Sequence, residues 1–226
     1  MDYHPSDADV EEMVTATQYG DFEYCKKQVS KGFDVNKRDR DDCTLLHWAA
    51  INNRVELVKY YIQQHAEVNA IGGELKSTPL HWAARQGHLK VVVILVTNHA
   101  DLNLTDSEGC LAIHLAIQYD HTALVAYLIS KGCSVNVCDR NGMALLSWAT
   151  CSGSSSEIFQ LLLAMGADVN LKDTTFGNTA LHWAVLHNNH VAAALLVNSK
   201  ADVSIRNYQV CQRLMIRFLF DLPRCS

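Results

Sequence analysis

The chain has 226 residues, 49% of them hydrophobic, with 19 Lys and Arg against 24 Asp and Glu for a net charge of −5. That balance supplies apolar material for a continuous core and no cluster of basic residues, which argues against nucleic acid or an anionic membrane surface as partner. No run of about 18 apolar residues occurs, so no membrane-spanning helix is expected, and the opening MDYHPSDADVEEM is polar and acidic where a secretory leader would be apolar.

Taken in order, residues 1–7 are expected to be disordered. Val10, Met13, Val14 and Ala16, then Gly20, then Phe22, Cys25 and Val29 predict two short helices and a turn, closing on Gly32-Phe33-Asp34-Val35-Asn36. TLLHWAAINN, from Thr44 to Asn53, then opens a pattern that returns as TPLHWAARQG, LAIHLAIQYD, ALLSWATCSG and TALHWAVLHN. His47, His81, His114, Ser147 and His182 correspond, at separations of 34, 33, 33 and 35 residues. A second phrase keeps the same beat: DVN, EVN, DLN, SVN, DVN and DVS begin at Asp34, Glu67, Asp101, Ser134, Asp168 and Asp202.

Two signals sharing a period near 33 identify ankyrin repeats, whose signature is T-P-L-H-x-A. The expected fold class is all-α, an ankyrin-repeat solenoid of helix-turn-helix repeats with β-turn loops. A capping repeat is expected over 8–38, repeats over 39–72, 73–105, 106–138, 139–172 and 173–205, and a divergent hydrophobic tail over 206–226. Thr44, Thr78 and Thr179 are expected at helix entrances, where a hydroxyl accepts from an orphan backbone N–H, and Pro79 follows at the first helical position. Second helices carry an apolar stripe, ending at Gly132 and Gly166 in left-handed caps that His65 and His99 replace elsewhere. The serine-rich turn 153–156 is expected to be the loosest joint. Residues 210–222 read as a makeshift closing helix, the alternatives being a disordered tail or an interfacial segment.

The histidines of the repeated phrase invite a metal or catalytic reading. Because they recur with the architecture, they are expected instead to bridge backbone and hydroxyl groups of adjacent repeats. His65, His88, His99, His121, His187 and His190 fall at turns or helix ends and are expected to be exposed. Eight cysteines lack paired spacings, which fits free thiols in a reducing compartment and completes no zinc set. No catalytic motif is present, no cofactor or metal is expected, and Glu11, Glu12 and Asp39 to Asp42 read as solvated turns and helix ends.

All four tryptophans (Trp48, Trp82, Trp148 and Trp183) occupy one repeat position, with Leu115 in the remaining repeat. On a 3.6-residue helix Leu46, Ala49 and Ala50 share the packed face, while Trp48 points to another flank and Asn52 stands one turn beyond it. Stacking lays Trp48 beside Trp82, an aromatic wall with an amide next to it. Such a wall serves packing alone or packing combined with a surface for an extended segment.

TLLHWAAINNRVELVKYYI, GGELKSTPLHWAARQGHLKVV, EGCLAIHLAIQYDHTALVAYLISKG and NTALHWAVL carry a closer resemblance. Over residues 8–207 the chain resembles the ankyrin domain of the DHHC-type S-palmitoyltransferases known as huntingtin-interacting proteins, more closely the shorter "like" member of that pair. The resemblance implies a domain on the cytosolic side of Golgi or ER membranes, ahead of membrane-spanning helices and an Asp-His-His-Cys loop. It further implies capture of extended, proline-containing substrate segments, with Asn52 and Trp82 holding the proline. The present sequence has no Asp-His-His-Cys and leaves the family pattern after Asn207, as an alternative transcript or truncated product would. The expectation is a monomeric, cytoplasmic, non-catalytic module whose peptide-binding residues are Trp48, Asn52 and Trp82. Its partners are expected to be cytosolic proteins with flexible proline-containing segments. The alternatives are the acyltransferase role of a full-length form and a soluble competitor that occupies substrates without acylating them.

Overall fold

The computed structural model describes residues 6–208, which hold twelve helices and no strand beyond isolated bridges. The helices divide between two compact units, residues 1–112 and 113–226. The first unit contains α1 (Asp7–Tyr19), α2 (Phe22–Ser30), α3 (Leu45–Ile51), α4 (Val55–Gln63), α5 (Pro79–Arg85) and α6 (Leu89–Thr97). The boundary falls at the start of α7 (Ala112–Gln118), and the second unit continues with α8 (Thr122–Ser130), α9 (Leu145–Ser152), α10 (Ser156–Ala164), α11 (Ala180–Leu186) and α12 (His190–Asn198). Each interval of the repeat pattern holds one helix pair, and the architecture is all-α ankyrin repeat. The last residues of the stretch expected to be disordered belong to the first helix. Ser6 caps α1, exchanging bonds with Asp9 in a capping box, and Asp7 begins it. The closing helix foreseen over 210–222 lies outside the described residues.

Alanine decides how closely the helices approach. Ala49, Ala50, Ala83 and Ala84 are fully buried, so α3 and α5 stay thin and pack against each other and against α4 and α6. In the second unit Ala149 and Ala184 do the same for α9 and α11. Larger side chains from second helices fill the remaining space, among them Tyr61, Leu95, Leu128 and Phe159, all under 2% exposed. The left-handed caps are adopted by Gly132 and Gly166 and also by His65 and His99, at φ 65° and 68°.

Polar groups link neighbouring repeats within each unit. Thr44 N–H donates to His47 Nδ1 (3.1 Å), which leaves Nε2–H to donate to the Ser77 carbonyl of the following repeat (3.1 Å). His81 is held by Thr78 in the same way and reaches the Cys110 carbonyl at 3.0 Å. Burial pushes the His47 imidazole down to about 4, as this neutral tautomer requires, and lowers His81 and His182. The asparagine of the second phrase does comparable work. Asn36 donates to the His65 carbonyl and accepts from Glu67 N–H, and Asn69 bonds His99 and Asp101 likewise. Asn136 and Asn170 accept from Asp168 N–H and Asp202 N–H.

A third link was not expected. At the turn within a helix pair, a side chain reaches back to a carbonyl at the end of the preceding first helix: Arg54 to Gln18, His88 to Ile51, Ser154 to Ile117 and Asn189 to Thr150. His88 is therefore half-buried and engaged, not exposed as its position suggested. The serine turn is likewise not a loose joint by its bonding. Besides Ser154, its Ser155 N–H donates to Asp120 Oδ1 at 2.8 Å, and Gly153 turns the chain at φ 67°.

Candidate functional site

Trp48 lies on α3 and Trp82 on α5, both half-buried in the first unit. Their rings meet edge to face, with centroids 5.4 Å apart and planes at 85°. That is a favoured arrangement of two π systems, and it leaves indole surface turned outward. Trp82 also rests edge-on against His47, at 5.2 Å. Asn52 ends α3 one turn beyond Trp48, and its Nδ2 donates to the Trp48 carbonyl at 2.9 Å. That bond fixes the amide, and Oδ1 takes no hydrogen bond among the described residues. The three residues singled out from sequence thus share one neighbourhood of the first unit.

Beside the indoles opens a groove of about 620 Å³, lined by Trp48, Trp82, Cys43, Gly73 and the charged residues of two loops. Its cations are engaged: Arg40 pairs with Glu11 at 2.6 Å, and Lys76 lies 3.6 Å from Asp42. Burial, reinforced by Asp39, pushes the Cys43 thiol up to about 12, so it stays a neutral thiol and no nucleophile. The groove offers flat apolar area and hydrogen-bonding edges, and Asn52 is not among its lining residues.

One set of structural side chains escaped the sequence reading. Asp39 is not a solvated turn carboxylate. Its Oδ1 accepts from Asp41 N–H and Cys43 N–H, while Oδ2 accepts from Trp48 Nε1–H at 2.7 Å. Asp139 latches Trp148 at 3.1 Å and Asp173 latches Trp183 at 3.0 Å in the same manner. The available signal was spacing: an aspartate stands nine or ten residues before each of these three tryptophans. Before Trp82 the corresponding position is Gly72, which closes its loop on Ser77 as Asp173 closes on Asn178. A side chain is excluded there, because a Cβ on Gly72 would collide with the Asp42 carbonyl.

Helix pairs on a period near 33, stapled by Thr-His and Asn bonds, define a protein-interaction repeat. The model for ankyrin repeats matches residues 13–106, 92–173 and 113–207, and the chain belongs to the ankyrin-repeat family. Among curated proteins it is 52% identical over 204 residues to Palmitoyltransferase ZDHHC17 of Danio rerio, covering 90% of this chain and 33% of that relative. It is 49% identical over 197 residues to Palmitoyltransferase Hip14 of Drosophila melanogaster, covering 87% and 31%. Palmitoyltransferase ZDHHC13 of Mus musculus is 47% identical over 196 residues, covering 87% and 32%. The chain thus spans about a third of the length of these relatives. ZDHHC13 and ZDHHC17 both match, so the match alone does not divide them. No helix among the described residues is long and apolar enough to cross a membrane.

Proposed function

We propose that this chain captures flexible, extended, proline-containing segments of other proteins, and that Trp48, Asn52 and Trp82 form the capture site. The observation that carries the reading is the Trp48–Trp82 pair, two half-buried indoles in edge-to-face contact beside an open groove. A proline ring packs well on an indole face. The extended chain around it has no internal hydrogen bonds, so it arrives with its polar groups available. Asn52 Oδ1 is an acceptor for a segment N–H. Trp48 already spends its N–H on Asp39, a structural duty, so the weight of capture falls on Trp82. The names of the relatives suggest that the captured segments belong to proteins destined for S-acylation, which makes the chain the recruiting part of a palmitoyltransferase.

Ordering an extended segment offsets much of the contact energy, so affinity is expected to be modest. The test is to screen synthetic peptides, each an extended polar sequence with one proline, and to carry the tightest binder to calorimetry. Saturable binding by the wild-type chain and its loss in Trp82→Ala, with helical circular dichroism retained, are the expected results. Equal binding by the two proteins would sink the proposal.

A further inference from the structure

Asn141 is the one asparagine of the sequence that glycine follows, and it stands at the tip of the loop opening repeat 139–172. It is exposed, and its carboxamide takes no hydrogen bond among the described residues. Its main chain is tied on both sides. Asn141 N–H donates to Asp139 Oδ1 at 2.8 Å, and Gly142 N–H donates to the Asp139 carbonyl at 3.0 Å, with Gly142 left-handed at φ 72°. The Asn141 carbonyl accepts twice from the next repeat, from Thr174 N–H at 2.8 Å and Thr174 Oγ1–H at 2.7 Å. Thr174 also closes over Gly142, where a Cβ would lie 2.7 Å from its Cγ2. Packing thus imposes the glycine, and a bond between two repeats rests on an Asn-Gly pair.

From this we infer that Asn141 is a site of spontaneous deamidation, gated by the Asp139 loop, and that its isoaspartyl product unties Thr174. Gly142 N, giving up its hydrogen, attacks Asn141 Cγ. The new C–N bond closes a succinimide ring while the carboxamide C–N bond breaks and ammonia leaves. Water then opens the ring at one carbonyl or the other, giving aspartate or isoaspartate. Glycine favours closure because no side chain crowds the attacking nitrogen. The folded loop opposes it by holding Gly142 N–H on the Asp139 carbonyl, so the reaction runs from the opened loop. The two products differ in consequence. Asp41 and Glu108 occupy this position in other repeats, each with its N–H on the aspartate two residues before, so aspartate fits the loop. Asp41 also gives its carbonyl to Gly73 N–H, as Asn141 does to Thr174. Isoaspartate does not fit. Its chain runs through the former Cγ, and the carbonyl that Thr174 held becomes a carboxylate on a branch.

The experiment ages the full chain in mildly alkaline buffer beside a synthetic peptide of residues 134–148, and maps isoaspartate at every asparagine by peptide mass spectrometry. Asn141 is expected to convert before the others, about tenfold or more slowly than in the peptide, as the loss of one or two loop hydrogen bonds on opening implies. Asp139→Ala and Thr174→Ala should each recover much of that factor. Asp39→Ala, which severs the equivalent latch in the first unit, should leave the rate unchanged. The isoaspartyl fraction, once separated, should melt below wild type, and Asn141→Asp should melt with wild type. No conversion at Asn141, or conversion at the peptide's rate, overturns the gated site. Equal acceleration by Asp39→Ala assigns the reaction to global unfolding and overturns the gate. An isoaspartyl chain as stable as Asn141→Asp overturns the untying of Thr174.

Discussion

The two units treat the same residue in opposite ways. In the first, Trp82 rests on His47 of the preceding repeat, touches Trp48 and borders an open groove. In the second, Trp148 rests on His114 at 5.7 Å, but the position that would support Trp183 is Ser147. Trp183, also half-buried, is contacted by its own repeat instead. Phe176 meets it edge-on at 6.1 Å, His187 stacks on it at 5.9 Å, and Asp173 takes its N–H. One repeat position thus yields a half-buried ring beside a groove in one unit and a half-buried ring packed by its own repeat in the other. The difference traces to Gly72 and Ser147, neither of which is a tryptophan. A row of like residues is not a row of like sites.

The strongest way to break this comparison is to remove each ring in turn. Trp82→Ala should abolish measurable peptide capture, as truncation of a central aromatic anchor does, while Trp183→Ala should leave capture intact and lower the melting temperature. Equal loss of capture in both would mean that the different neighbours of Trp183 do not matter.

Acidification tests the histidine staples. The imidazole of His47 is pushed by burial down to about 4, below its unfolded value near 6.5. Its contribution is therefore complete above about pH 6.5 and disappears as pH falls through about 4, an effect on the order of 2–3 kcal/mol. Urea denaturation midpoints should fall across that window, and His47→Gln should flatten the slope. A midpoint independent of pH would contradict the neutral, doubly bonded imidazole.

The aspartate latches come next in size. Asp39→Ala and Asp139→Ala should each cost about 1–2 kcal/mol in urea unfolding, because each strands an indole donor and turn N–H groups together. Smallest is Ser154→Ala, expected to cost about 1 kcal/mol by releasing the Ile117 carbonyl; a null result would restore the serine turn as a slack joint.

Most of the fold was legible because its determinants are periodic. Threonine at the helix entrance, histidine three residues on and alanine pairs behind it announce themselves by recurrence. Even the left-handed His65 and His99 could be placed by alignment with Gly132 and Gly166. The pairing of Trp48 and Trp82 followed from helix geometry and stacking. What escaped was aim. A carboxylate in a turn reads as solvated whether it faces water or reaches back to an indole, so Asp39 was misjudged until its two oxygens were seen to be divided between turn and ring. His88 and Ser154 failed for a related reason, since their partners are single carbonyls of another repeat. Gly72 shows nothing special in the sequence, because its meaning depends on the backbone of Asp42 pressing against it.

The asparagine bonds between turns carry a further consequence. Each fixes the start of a loop, and each threonine-histidine pair fixes its end, so the loop tip between them is left to absorb changes in length. The interval is 11 residues from Asn36 to His47 but 12 from Asn69 to His81 and from Asn170 to His182, and the added residue disturbs neither anchor. The tips are consequently where an inserted epitope, reporter or protease site can be carried at little cost to the core. They are also the positions at which a lineage can lengthen one finger and reshape what it touches without rewriting the helices behind it.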